Sequence, residues 1–416
     1  MRSRNGRLLP LSHPLVLSLY VPSTIFSFCQ GMLMPVLPLY ANSFGASYEL
    51  VGLVLAGEGI GLLLGDVPAG MLLERLGKRT MLIGVLAVAL AALLLAGAGS
   101  IGAVLGLRMV SGLGGALYNV SRHTYMSNSV ATGQRGRAIA IYGGTFRLGK
   151  FAGPVVGGLI AEAFGLRAVF VVFGAGCLVA LVFVARFIES AQLVAHRATR
   201  THHAGLILTL RAHRRILAVA GAGQVFALVI RTGTGVIIPL YAAEVLGLEV
   251  GQIGLIVSLA SAMDLVLFYP AGLVMDRWGR KYAIVPSFLI QAGGMALLPF
   301  TGSPIGLLLA AGLISFGNGL GSGSMLTVGS DLAPAESRGE FLGLWSLIGD
   351  IGITGGPLAI GGIAGALSLG AAAWVIAGSG LGAALIFAFL VPETLVRPAP
   401  VRESASPLPQ VEHQQG

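Results

Sequence analysis

Residues 68–79 read PAGMLLERLGKR, and residues 270–281 read PAGLVMDRWGRK. The two stretches stand 202 positions apart in a chain of 416 residues. Each sets Pro, Ala, Gly, an acid, Arg, Gly and two bases in the same order, and each joins one long apolar run to another. A charged turn repeated at half the chain length marks two copies of one structural unit. Because the runs on either side are long enough to cross a bilayer, that unit belongs in a membrane.

Composition points the same way. The chain is 55% hydrophobic and 10% charged, with a mean hydropathy of +0.86. A water-soluble fold cannot hide so much apolar surface, so lipid is the solvent. A helix needs ~20 apolar residues to cross the ~30 Å hydrocarbon core. Polar breaks divide the chain into twelve such runs, near 14–41, 49–70, 80–98, 101–128, 138–163, 167–188, 215–243, 250–274, 282–301, 304–330, 339–364 and 369–391. Membrane β-barrels would show alternating segments of ~10 residues, and the sequence has none. The expected fold is an all-α polytopic membrane protein with twelve transmembrane helices in two pseudo-symmetric six-helix bundles. Residues 1–188 form the first bundle, 189–214 a cytoplasmic linker, 215–391 the second bundle and 392–416 a disordered tail.

A net charge of +9 would suggest nucleic acid in a soluble protein, but the placement of the bases argues against it. They gather at Arg2, Arg4 and Arg7, at Arg75, Lys78 and Arg79, at Arg135 and Arg137, and between Arg186 and Arg215. They recur at Arg277, Arg280 and Lys281, and at Arg338, Arg397 and Arg402. With alternating helices all of these fall on one side, whereas the opposite loops offer only Arg167. The positive-inside rule puts that side, with both termini, in the cytoplasm of a cell-membrane protein.

The run from Pro14 to Tyr40 exceeds the roughly 7–15-residue core of a signal peptide, so it is read as span one. Cys29 and Cys177 lie inside spans without CxxC spacing, which points to neither a disulfide nor a metal. His196, His202, His203 and His213 crowd the linker. Their irregular spacing and basic neighbours fit a solvated segment better than a metal site. Past Pro392 the chain is rich in Pro, Ser, Glu and Gln, a composition that favours disorder.

The repeat extends beyond the charged turn. Pro38, Leu39 and Tyr40 close span one as Pro239, Leu240 and Tyr241 close span seven. Arg135–Gly136 and Arg338–Gly339 precede spans five and eleven, and nineteen residues after each Arg stands a Gly-Pro proline, Pro154 or Pro357. Two six-helix halves in one orientation imply a pseudo-two-fold axis along the membrane normal, as in transporters whose site lies between the halves.

These residues resemble the major facilitator superfamily over nearly the whole membrane part. The family's turn after helix two, G-x-x-x-D-R-x-G-R-K, is matched by Gly70, Glu74, Arg75, Gly77, Lys78 and Arg79, with Glu in place of Asp. Gly272, Asp276, Arg277, Gly279, Arg280 and Lys281 match it more closely. The resemblance implies two latches, Glu74 to the start of span eleven and Asp276 to the start of span five. Helix N-termini there carry partial positive charge, and the latches form when the cytoplasmic side is closed. Arg108, in the RMVSGLGGALYN of span four, resembles the Arg of the family's Arg-x-x-x-Gly motif, which is associated with proton transfer. On span five Gly149, Gly153, Pro154, Gly157 and Gly158 resemble the antiporter signature G-x-x-x-G-P-x-x-G-G, which implies export. Glycines four apart also permit close helix contact.

Ionisable residues inside spans are expensive and therefore mark candidate sites. They are Glu58, Asp66, Arg108, Arg147, Lys150, Arg231, Asp264 and Asp350. Glu58 lies ~14 Å from the outer end of span two, and Arg147 and Asp350 lie ~14–16 Å up spans five and eleven at matching repeat positions. Glu58 is the first candidate for a coupling proton, because a carboxylate near the midplane can exchange a proton against charge brought by a substrate. A permanently protonated, hydrogen-bonded Glu58 is the other reading. Asp350, Asp264 and Arg108 follow as proton-coupling candidates, and Asp66 joins the duplicated turns in gating. Lys150, one turn from Arg147, extends a cationic patch. Arg231 breaks the symmetry of the halves; it either bears on specificity or pairs with Asp264 or Asp350 for packing.

The sequence therefore predicts a secondary transporter that works by alternating access, with the proton as coupling ion and no other cofactor. Its cavity is expected between spans 1, 2, 4, 5 and 7, 8, 10, 11, lined by Gln30, Tyr118, Asn119, Tyr142, Arg147, Lys150, Gln224, Arg231 and Asn318. Export of a small organic or amphipathic molecule, as in a multidrug exporter, is the first reading. Proton-driven uptake of a metabolite and ligand sensing without transport are the alternatives. A small-molecule substrate and the lipid bilayer are the expected partners of a monomer that binds no nucleic acid. No nucleophile–base pair or metal constellation stands in the spans, so enzyme activity is not expected.

Overall fold

Gly77 and Gly279, the second glycines of the duplicated turns, adopt φ values of +52° and +129° in the computed structural model of the chain. Glycine takes such angles without strain, and each lets one membrane helix stop and the next start at once. The structure describes residues 16–130, 135–188, 203–334 and 336–395. Arg2, Arg4, Arg7, His196, His202, Arg397 and Arg402 lie outside the described residues, as do the side chains of Arg135, Arg137 and His203.

The first half forms α1 (Val21–Asn42), α2 (Tyr48–Leu76), α3 (Lys78–Ala96), α4 (Ile101–Ser129), α5 (Arg135–Phe164) and α6 (Leu166–Phe187). A short helix, α7 (His203–Ala212), leads to α8 (Arg214–Glu244), α9 (Val250–Arg277), α10 (Arg280–Leu297) and α11 (Pro304–Leu320). The chain continues through α12 (Ser324–Leu332), α13 (Arg338–Ala366) and α14 (Leu369–Leu385). Serine side chains start several helices: Ser100, Ser303 and Ser368 accept backbone N–H groups of α4, α11 and α14 at 3.1–3.2 Å, satisfying donors the helix itself cannot.

Eleven spans among the described residues are long and apolar enough to cross a membrane, with α11 and α12 counted as one. The twelfth expected span, α5, has the length, since its 30 residues make about 45 Å of helix. Arg147 and Lys150 in its middle dilute its apolar character, and packing against α1 and α9 holds it in place. Leu309 and Val182 are 70% and 66% exposed, in keeping with helices whose outer faces meet lipid.

Three local expectations change. Span ten is not one helix: Gly321, Ser322 and Gly323 interrupt it, with Gly323 at φ +75°. Residues 189–214, expected as a solvated linker, contain α7. The tail expected to be disordered from 392 begins with an ordered contact, because Glu393 accepts the backbone N–H groups of Arg280 at 2.9 Å and Lys281 at 3.1 Å. Burial pushes the Glu393 carboxyl up, but the N–H groups of Leu395, Arg280, Lys281 and Thr394 outweigh it and hold the group below its usual range.

The two halves repeat one packing scheme. α2 packs on α4, α1 on α5 and α6, and α3 on α4 and α6. Correspondingly, α9 packs on α11, α8 on α13 and α14, and α10 on α11 and α14. Even a single bond recurs. Lys78 Nζ donates to the Ala185 carbonyl at 2.6 Å and Lys281 Nζ to the Ala388 carbonyl at 2.8 Å, each spanning 107 residues.

Between the halves, α2 meets α13 and α5 meets α9. Contact is tight at the far end, opposite the duplicated turns. There a Cβ added to Gly52 would stand 2.6 Å from the Pro357 carbonyl oxygen, and one at Gly361 2.6 Å from that of Tyr48. Asn42 donates to Glu244 at 2.7 Å, and the Tyr48 hydroxyl donates to the same carboxylate. At the basic end nothing lies within 4 Å of a Cβ built on Gly70 or Gly272. Among the described residues the tightest contacts between the halves thus lie at the far end, and the basic ends of α2 and α9 carry no such contact at Gly70 or Gly272. Glu74 is exposed and unpaired among the described residues, and Asp276 pairs with Arg280 of its own turn at 2.9 Å. Among the described residues Glu74 makes no latch to the start of span eleven; the start of span five, where Asp276 is expected to latch, carries side chains outside the described residues.

Glu244 ties α8 to both α1 and α2 at the far end. Replacing it by Ala is expected to shift the closed–open equilibrium there a few-fold, on the scale of about one exposed hydrogen bond or two. Spin-label distances between the far ends of α2 and α13 measure this; an unchanged distribution would show that the glycine contacts suffice.

Candidate functional site

Gly61 of α2 and Gly112 of α4 have no side chains to keep the helices apart. A Cβ at Gly61 would stand 2.9 Å from the Gly112 Cα. This approach brings Glu58 to Arg108, and the Arg108 guanidinium forms an ion pair with Glu58 Oε2. Gln30 of α1 donates to Glu58 Oε1 at 2.9 Å, so both carboxylate oxygens are engaged. Arg108 is only 4% exposed, and its Nε and Nη1 have no hydrogen-bond partner.

Glu58 and Arg108 form one wall of a cavity of about 490 Å³ between the halves. That is within the range of roughly 300–1,000 Å³ typical of small-molecule sites. Leu33, Met34, Leu37, Leu55, Val236 and Ile353 contribute apolar surface, and Arg147, Lys150, Arg231 and Asp264 contribute charge. Glycine contacts close the cavity towards the far end, whereas no comparably tight contact is found at Gly70 or Gly272 towards the basic end.

The opposite wall is organised by the break in span ten. Irregular backbone is tolerated at membrane depth where it lines a cavity and its polar groups find partners. Here the partners are arginines. Arg231 Nη2 donates to the Gly321 carbonyl at 2.8 Å, and Arg147 donates to the Ser322 hydroxyl. Arg147 also donates to the Gly143 carbonyl at 3.0 Å and lies 4.0 Å from the Phe268 ring centre. Asp264 Oδ2 is 3.8 Å from Arg147 Nε, too far for a hydrogen bond, while Asp264 Oδ1 accepts from Asn318 at 3.2 Å. Lys150 has no hydrogen bond or ion pair among the described residues; the Phe146 ring centre stands 5.3 Å from its ammonium.

Gln30, Arg147, Lys150, Arg231 and Asn318 therefore line the cavity together with Glu58, Arg108 and Asp264. Tyr118, Asn119, Tyr142, Gln224 and Asp350 do not. Tyr118 is buried, bonded to Ser23 at 3.2 Å and stacked on Phe26. Tyr142 covers the guanidinium of Arg122, 4.4 Å from its ring centre. Gln224 is buried against Gly349. Asp350 shares the repeat position of Arg147 but stands near enough to Asp66 for their charges to repel, away from the cavity. Arg231 hydrogen-bonds a backbone carbonyl and forms no ion pair with Asp264 or Asp350, its partners in one of the two readings; Asp264 stands beside Arg147, within electrostatic reach of Arg231.

Sequence reasoning missed Ser322, the Gly321 carbonyl, Phe268, Phe288 and the caged Arg122. The signal for the first two was present in GNGLGSGSM, residues 317–325, where glycines alternate with other residues. On α5 the glycine stripe behaves as expected: Gly149, Gly153 and Gly157 press on α1, and Gly158 presses on α9. Beside Pro154, the Val155 N–H crosses the interface to Ser258 Oγ at 2.9 Å.

Known proteins share this fold. A D-xylose-proton symporter superposes with a TM-score of 0.76 at 18% identity, covering 92% of this chain and 98% of that one. The nucleoside transporter NupG superposes with a TM-score of 0.74 at 15% identity over 89% and 98% of the two chains. By sequence, an uncharacterized MFS-type transporter of Methanocaldococcus jannaschii is 22% identical over 344 residues, 82% of this chain and 88% of the relative. Multidrug resistance protein MdtG of Enterobacter lignolyticus is 26% identical over 346 residues, 79% and 80% of the two chains. The Major Facilitator Superfamily profile matches residues 20–230 and again 220–413. A duplicated six-helix bundle, a shared transporter fold and a profile that fits each half lead to one conclusion: this membrane-spanning chain is a transporter of the major facilitator superfamily.

Proposed function

We propose that the chain exports a small organic molecule across the cell membrane in exchange for protons, by alternating access. The observation that carries this reading is the Glu58–Arg108 pair in a cavity that is closed at one end and open at the other. Positive-inside logic places the basic end, and both termini, in the cytoplasm, so the cavity faces the source of an exported molecule. Protonating Glu58 removes its charge and releases Arg108; losing the proton re-forms the pair. A proton thereby changes the energy of the cavity without any further cofactor. Closing the basic end would engage Glu74 and Asp276 with helix starts in the opposite half and open the far end. Export is supported by the α5 glycine–proline motif, whose glycines sit at the helix contacts, and by similarity to relatives named for multidrug resistance.

A second reading, uptake together with a proton, draws on the excess of cations over carboxylates around the cavity. Inverted membrane vesicles separate the two. Substrate accumulation driven by interior acidification is expected for export, whereas a response only to the opposite gradient would establish uptake. Flux indifferent to either gradient would sink proton coupling.

A further inference from the structure

We infer that the transported molecule is a small organic anion with one acidic head and an apolar body. This rests on the transport reading but on neither its direction nor its coupling ion. The cavity wall carries four cationic side chains and two carboxylates. Arg108 neutralises Glu58, and Arg147 is the cation beside Asp264. Lys150 and Arg231 form no ion pair among the described residues and share Asp264 with Arg147 only at longer range. Arg231 has a neutral carbonyl and the Phe288 ring, and Lys150 has only the Phe146 ring. Rings and carbonyls ease a cation's desolvation but do not cancel its charge.

The uncompensated charges are concentrated in one place. Lys150 lies within electrostatic reach of Asp264, Arg147 and Arg231. Arg147 Nε and Arg231 Nε are buried donors without acceptors. Asp66 and Asp350 do not line the cavity, so they do not restore the balance. An acidic head between Lys150 and Arg231 would supply the missing charge and acceptors at once. Lys150 stands on α5 of the first half and Arg231 on α8 of the second. A single head between them joins the two bodies that must rock, which ties occupancy to movement. Leu33, Met34 and Phe146 offer the apolar surface for the body. A cationic molecule meets net repulsion here, and a neutral one leaves the donors unfilled.

Three probes with one body and different heads test the assignment: 4-phenylbutyrate, 4-phenylbutylammonium and 4-phenylbutanol. Binding to the purified full-length protein in nanodiscs, with no gradient, is measured by calorimetry. The carboxylate is expected to bind about tenfold more tightly than either partner, the scale of one charge-assisted contact. Lys150→Gln and Arg231→Gln should each weaken it by about the same factor, and Lys150→Arg should retain it. Thermal unfolding of each variant checks that it is folded. Equal or tighter binding of the ammonium or alcohol overturns the assignment. So does anion binding indifferent to both Gln variants, or no binding by any probe. Carboxylate binding and counterflow without any response to a proton gradient would defeat the proton-coupled reading and leave the anion standing. Gradient-driven flux of the ammonium but not the carboxylate would do the reverse.

Discussion

Glu58→Gln is expected to abolish gradient-driven transport, by more than about tenfold, or about 1.4 kcal/mol of lost driving, while sparing substrate exchange. The amide keeps the shape of Glu58 and its one oxygen can still accept from Arg108, while its NH2 faces Gln30, whose own amide can turn to accept; it cannot take up or release a proton. Exchange needs only the loaded carrier to reorient, whereas net driven flux needs the coupling group to titrate. Arg108→Ala acts differently. It strands a carboxylate whose side chain is only 21% exposed, and loss of one partner from a buried pair costs about 3–5 kcal/mol. The lower end of that range is expected, because the cavity side admits water. Glu58→Gln in the Arg108→Ala background should recover most of that loss, since no unpaired carboxylate remains. Reconstituted flux and thermal unfolding of the three variants measure these effects. Driven transport at the wild-type rate in Glu58→Gln would remove this residue from the coupling role.

Gly158→Leu is expected to block transport at a different step. A Cβ there would stand 2.7 Å from the Val250 carbonyl oxygen and 3.2 Å from the Cα atoms of Gly251 and Gly254. Those atoms are backbone, so no rotamer change relieves the clash, and the far ends of α5 and α9 must part. The bundles should survive, because these contacts run between the halves. The far-end-closed conformation is lost, with transport falling by more than about tenfold, equivalent to about 1.4 kcal/mol or more against closure. A cysteine at the far end should become accessible to a membrane-impermeant reagent. Gly293→Ala, on α10 where nothing lies within 4 Å of an added Cβ, should leave both readouts unchanged. Wild-type flux in Gly158→Leu would mean that closure does not pass through this contact.

The candidate site was legible in the sequence to the extent that charge is legible. Glu58, Arg108, Arg147, Lys150, Arg231 and Asp264 stand out in apolar spans because burying a charge is costly enough to demand a purpose, and all six reached the cavity. Neutral polar residues carried less information. Tyr118, Tyr142 and Gln224 have the chemistry and depth of a cavity lining yet face other neighbours, and Asn119 does not line the cavity either. A helix that is apolar on every side gives no sequence signal of its rotation. Asp350 makes the same point with a charge: pseudo-symmetry gave it the depth of Arg147, but it does not line the cavity.

Some things the sequence determined alone. Long apolar runs must be helices in lipid, because each backbone donor and acceptor has to be paired within its own segment. The repeated charged turn then set the number of halves, their relation and the end that carries the bases. Other things only the tertiary structure decided: which helix faces meet, that the far end is the closed one, and that Gly321 and Ser322 hold two arginines. For the two arginines, side chains reach partners 90 and 175 residues away along the chain. Contacts of that kind are fixed by packing geometry, which leaves no periodic trace along the chain.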